Sequence, residues 1–221
     1  MVTMRQEYIT RRSIVLASMS GLLVFVMCAF VFAQSDPLQT ARQLIRDQRY
    51  DDAIALLLRT SEHGVMNAEV ANQLARAYHW KLDFGQARRW YNEASRLDPK
   101  YRLNIVPLLD ELEDWRAIIE VAEPEFATGS KRLDLLAALY MAYSKVGRSS
   151  DADRVLGRVI DSPASDYRNY ILAYVGSLAN DTDKALSYLA QIKSPSLRAY
   201  ARTDRKFSNL AGNKRFEELT R

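Results

Sequence analysis

Ala68-Glu-Val-Ala-Asn-Gln-Leu-Ala-Arg-Ala-Tyr-His-Trp80 and, three residues on, Phe84-Gly-Gln-Ala-Arg-Arg-Trp-Tyr-Asn-Glu-Ala-Ser-Arg-Leu97 decide the fold of this chain. In the first stretch Ala71, Leu74, Ala75 and Tyr78 recur at steps of three and four, which places them on one helical face. Ala87, Tyr91 and Ala94 do the same in the second. Asp98-Pro99 closes the pair, because proline cannot continue the hydrogen-bond ladder and restricts the residue before it. Two apolar faces joined by a short polar turn bury each other. Ala75 and Ala87 are small enough for close approach, while Tyr78, Phe84 and Tyr91 fill the gaps between the helices.

The same arrangement recurs along the chain. Ala53, Ala87, Ile118, Ala152 and Ala185 are separated by 34, 31, 34 and 33 residues, and each follows a polar or glycine-bearing turn. A period near 34 marks an array of helix pairs, each burying its apolar face by stacking on its neighbours. The expected fold is all-α: a solenoid of about five helix pairs, counted from this period. Units fall near 34–67, 68–100, 101–132, 133–165 and 166–198, and residues 199–221 form a C-terminal cap. Phe207, Leu210, Phe216 and Leu219 lie among charged residues there, as an element covering the last apolar face requires.

The second unit resembles the tetratricopeptide repeat at Leu74, Ala75, Tyr78, Phe84, Ala87, Tyr91, Ala94 and Pro99. The fourth fits at Leu136, Leu139, Tyr143, Gly147, Ala152, Leu156 and Pro163, although Tyr140 stands where the family favours a small residue. The fifth fits at Leu172, Ala173, Ala185 and Leu189, with Gly176 in place of the usual tyrosine. The third is three residues short and carries Pro107 and Pro124. That pattern fits a degenerate repeat with a truncated or kinked first helix, or a functional bend between two lobes.

The resemblance implies a non-enzymatic scaffold or adaptor that binds a protein or peptide along a concave groove lined by the first helix of each unit. Carried onto this sequence, the groove positions are Arg42 in the first unit and Asn72, Arg76 and His79 in the second. They continue with Asp134, Ala137 and Met141 in the fourth, and Tyr167, Tyr170 and Tyr174 in the fifth. Arg42, Asn72 and Arg76 have the chemistry to hold a carboxylate. The full basic clamp of chaperone-binding members is absent, since Leu38 and Arg42 stand where lysine would be needed. The three tyrosines form a stripe suited either to anchoring a partner or to packing on the cap. The alternative role is a structural subunit of an envelope or secretion assembly, acting by self-association or subunit packing.

Sites for chemistry are scarce. Beyond the leader there are two histidines, His63 and His79, and no cysteine, too few for a zinc site. No phosphate-cradling glycine loop or nucleophile elbow is present. No catalytic, metal or cofactor site is expected. Without residues 1–33 the chain holds 28 basic and 26 acidic side chains, too even a balance for a nucleic-acid footprint.

Residues 1–33 form an address or an anchor. Arg5, Arg11 and Arg12 precede an uncharged run from Ile14 to Ala33, and Val31 and Ala33 suit the positions a signal peptidase reads. Twenty apolar residues also suffice to span a bilayer, so cleavage near Ala33 and retention of 14–33 as a membrane tether both stand. Either outcome exports the folded part to the periplasmic or extracellular side of an inner membrane, because the positive flank stays inside. The lone Cys28, preceded by Met27 rather than a small residue, is a poor lipidation site.

Overall fold

The computed structural model describes residues 36–62 and 66–221, so the leader and His63 lie outside the described residues. Among those residues the structure is built of helices joined by short turns, without strands, and ends in a C-terminal cap. It divides into two compact units, with the boundary between Tyr101 and Arg102.

The first unit holds two helix pairs. They are α1 (Pro37–Arg46) with α2 (Tyr50–Glu62), and α3 (Ala68–Trp80) with α4 (Phe84–Leu97). Polar side chains start these helices: Asp36 accepts from the Leu38 N–H, Asn67 from that of Val70 and Asp83 from that of Gln86. Each satisfies one of the amide donors a helix N-terminus leaves orphaned, and Pro37 lacks that donor altogether. Ala41, Ala53, Leu57, Leu74, Ala75, Ala77 and Ala87 are wholly excluded from solvent. Most are alanines, because helices that pack this closely have no room for longer side chains.

A broken helix begins just before the boundary at Tyr101 and runs into the second unit. A 3-10 segment, Pro99–Ile105, leads into the short α5 (Val106–Glu111), with Pro107 in its first turn, where a missing N–H costs nothing. α6 (Trp115–Ala127) continues past the internal Pro124. Two further pairs follow: α7 (Leu133–Lys145) with α8 (Ser149–Ile160), and α9 (Asp166–Leu178) with α10 (Thr182–Ala190). The cap comprises α11 (Pro195–Thr203), a 3-10 segment Arg205–Leu210, and α12 (Lys214–Leu219). Phe207, Leu210 and Phe216 are buried, and the Phe207 and Phe216 rings lie 6.0 Å apart.

One turn is used five times. Gln48, Leu82, Glu113, Gly147 and Asn180 all have left-handed backbone, with φ of 60°, 66°, 55°, 78° and 55°. Each lies five residues before one of the periodic positions Ala53, Ala87, Ile118, Ala152 and Ala185. In every turn the next amide donates back across the helix end: Arg49 to Leu44, Asp83 to Tyr78, Asp114 to Leu109, Arg148 to Tyr143 and Asp181 to Gly176, at 2.8–2.9 Å. This reversal satisfies carbonyls at the end of the first helix and aims the second back along it. The spacing of the periodic residues is therefore the spacing of the turns, and those residues are 0–5% exposed. Gly176 is the tightest approach: a Cβ there would lie 2.8 Å from the Ala185 backbone nitrogen.

Candidate interaction surface

In the first unit the first-helix face is formed by α1 and α3. Arg42 on α1 pairs with Glu69 on α3, and both side chains remain more than one-third exposed. Arg76 is exposed and bonds Gln73 one turn back at 3.2 Å. Asn72 and His79 are buried. His79 stacks on Trp80 at 6.1 Å and meets the Tyr91 hydroxyl at 3.5 Å, so it sits between α3 and α4 rather than on an open face. The following turn is apolar and open, with Trp80 58% and Leu82 69% exposed.

In the second unit the tyrosine stripe of α9 is covered to different depths. Tyr174 is fully buried and donates to the Ala137 carbonyl of α7 at 2.8 Å. Tyr170 is buried under the cap, edge-on to Phe207 at 5.4 Å, and its hydroxyl donates to Asp204. Burial, and then the Asp204 carboxylate, push the Tyr170 hydroxyl well above the ordinary phenol range, so it stays a donor. Met141 is likewise buried. Tyr167 remains 40% exposed and stacks on Tyr170 at 6.2 Å, with Tyr200 of α11 beside the same ring at 6.0 Å and 57% exposed. Asp134, at the start of α7, is exposed and paired with Arg132 at 2.7 Å. Partial burial opposes its ionisation, but Arg132 outweighs that and holds the carboxyl below the usual range.

The structure thus leaves Arg42, Arg76, Asp134 and Tyr167 open to a partner. Asn72, His79, Met141, Tyr170 and Tyr174 lie inside, where they hold the helices in place. The two tyrosines are covered by other elements, Tyr170 by the cap and Tyr174 by α7, which supply the surface a partner would otherwise cover.

The cap also reaches along the same face. Ser177 of α9 bonds the Lys206 carbonyl at 3.0 Å, and Asn209 bonds the Ser177 carbonyl at 2.7 Å. Arg205 pairs with Glu113 at 2.8 Å and Lys206 with Asp110 at 3.1 Å, joining the cap to the α5–α6 turn. A cavity of about 370 Å³ remains beside these pairs, walled by Trp115, Met141, Lys145, Leu178 and Asn180. Tyr200, Asp204, Arg205 and Lys206 have no counterpart among the sequence-derived positions. The sequence clue was the Ser194-Pro195 start, which caps and opens a further helix carrying Tyr200. Among the described residues no group of three His, Cys, Asp or Glu is placed to hold a metal ion. None of their helices is long and apolar enough to cross a membrane.

No protein-family model matches the chain, and no curated protein matches it. Solved structures do. MamA from Desulfovibrio magneticus RS-1, residues 41 to the end, aligns over 72% of this chain and 94% of its own at 15% identity, with a TM-score of 0.57. The MamA RS-1 ArsTM double mutant aligns over 77% of this chain and 99% of its own, also at 15% identity, with a TM-score of 0.58. MamA is a tetratricopeptide-repeat protein, and at this identity the likeness establishes the fold: this chain is a tetratricopeptide-type solenoid.

Proposed function

We propose that this chain is a non-enzymatic scaffold that holds a protein or peptide partner on the first-helix faces of its two units, in the cell envelope. One observation carries the reading: each unit's first-helix face ends in exposed recognition groups set on a rigid base. In the first unit Arg76 is presented by a helix whose other side is buried, and in the second Tyr167 and Tyr200 rest on the buried Tyr170. Tyr167, stacked on Tyr170 in this way, loses little freedom on binding, so more of the cost of ordering falls on the partner. Tyrosine and arginine are, with tryptophan, the residue types enriched among interface hot spots. The fold supports the reading, because paired helices within each unit expose faces that a partner can cover.

The envelope assignment rests on the leader. Export by residues 1–33, with 14–33 either removed or kept as a tether, would place the array on the outer side of the inner membrane. A second reading, subunit packing within an assembly, is favoured by the open Trp80–Leu82 turn, where two large apolar side chains lie together in solvent.

In-cell photo-crosslinking separates these readings. A photoreactive residue at Arg76 or Tyr167 is expected to trap a discrete partner, whereas one at Asn92, exposed on α4, is not. Capture from Asn92 or Leu82 with none from Arg76 and Tyr167 would overturn the scaffold reading in favour of subunit packing.

A further inference from the structure

Resting on that scaffold reading, we infer that the Tyr167–Tyr200 shelf of the second unit, with Asp134 at its side, docks an arginine- or lysine-bearing segment of the partner. Both rings are open, at 40% and 57%, and both lean on the buried Tyr170, with Tyr167 stacked at an interplanar angle of 9°. Phe207 and Tyr174 support Tyr170 in turn, at 5.4 and 6.4 Å. The shelf is thus the exposed end of a fixed aromatic network. Such faces carry negative π-density and attract a cation placed over them.

After its partial burial, the carboxylates with the largest influence on Tyr167 are Asp134, Asp110 and Asp204, and Arg132, Arg205 and Lys206 pair with acids of the same group. Two of these carboxylates already have local partners: Asp110 binds Lys206, and Asp204 accepts from Tyr170. Asp134 is paired with Arg132, but that pair is more than half exposed and is a weak competitor for an incoming guanidinium. Arg198 and Arg202 flank Tyr200 on α11, two residues to either side, which turns them about 200° around the helix from it.

The molecule shows the same recognition within its own chain. Arg205 and Lys206 extend from the cap to Asp110 and Glu113 on this face. Arg158 lies over the Phe126 ring at 4.0 Å and Arg148 over Tyr143 at 4.6 Å. The partner's cation would add one more member to this set, on rings the chain leaves uncovered. The cap itself is not the element to be displaced, since Phe207 and Leu210 are each 1% exposed and anchor it.

The test is fluorescence anisotropy on the full chain with labelled, amidated Gly-Arg repeat peptide, against Gly-Gln and Gly-Glu repeats of equal length. The Gly-Arg peptide is expected to bind and the other two to bind far more weakly. Tyr200→Ala and Tyr167→Ala should each weaken binding by roughly two- to fivefold, the range for one exposed cation–π contact. Asp134→Asn should weaken it and flatten its salt dependence, with the helical circular dichroism of each variant matching wild type. Equal binding of the Gly-Gln peptide, no binding of the Gly-Arg peptide, or wild-type affinity in both tyrosine variants would overturn the inference. A partner trapped from Arg76 would still stand in any of those cases, so this failure is distinct from failure of the scaffold reading.

Discussion

Replacing Gly176 by alanine should destabilise the second unit, whereas the same change at Gly157 should stabilise it. Both glycines lie inside helices, α9 and α8, where alanine is favoured over glycine by about 1 kcal/mol. At Gly157 a Cβ meets nothing within 4 Å, so the helical gain stands alone, about 0.5–1 kcal/mol. At Gly176 the added carbon would lie 2.8 Å from the Ala185 nitrogen, 3.1 Å from its Cα and 3.3 Å from its Cβ. Two of those atoms are backbone and cannot rotate aside, so α10 must move. Overpacking of this kind costs about 1–3 kcal/mol, and the sub-3 Å backbone contact places Gly176 in the upper half of that range. Subtracting the helical gain leaves a net loss of about 1–2 kcal/mol. Urea unfolding of the full chain, followed by helical circular dichroism, gives both values, and thermal midpoints should move in opposite directions by a few degrees. A rise in stability at Gly176 equal to that at Gly157 would refute the close α9–α10 approach and the packing rule derived from it.

Other perturbations test the turns, the cap and the charges. Gly147→Ala, at φ 78° with nothing within 4 Å, should cost about 1 kcal/mol through backbone strain alone, read as a lower urea midpoint at unchanged slope. Asp204→Ala leaves the buried Tyr170 hydroxyl without its acceptor, so a loss of about 1–3 kcal/mol and faster hydrogen exchange across 205–219 are expected. The Asp166 carboxyl is held below its usual range by the Lys193 and Ser194 amides, at 2.9 and 2.7 Å. A depressed carboxyl pKa stabilises the fold above the unfolded value, near 4, and that contribution fades as pH falls through the folded value. Wild type should therefore exceed Asp166→Asn in stability at about pH 7, and the gap should close by about pH 2. An unchanged gap across that range would refute the assignment.

The period was legible because each unit repeats a mechanical need: a buried apolar residue, alanine in all but the third unit's Ile118, where the second helix crosses the first, five residues after a left-handed turn. Gly147 and Asn180 announce such turns by residue type, but Gln48, Leu82 and Glu113 do not, since their conformation is imposed by the helices on either side. The broken first helix of the third unit was legible at Pro107, although the proline opens α5 rather than interrupting it. The groove was legible only in part. Helical periodicity shows that Tyr167, Tyr170 and Tyr174 share a face, but not that the cap covers Tyr170 and α7 covers Tyr174. That depends on contacts made by Asp204, Phe207 and Ala137, more than thirty residues away. Arg205 and Lys206 were illegible for the same reason, because their partners Glu113 and Asp110 lie over ninety positions earlier.

The most direct measurement is hydrogen–deuterium exchange on the full chain, alone and with the partner trapped through Arg76 or Tyr167. Slowed exchange is expected on α1, α3, α7 and α9, which present the first-helix faces, and on α11, which carries Tyr200. Slowing confined to α4, α8 and the Trp80–Leu82 turn would contradict the scaffold account.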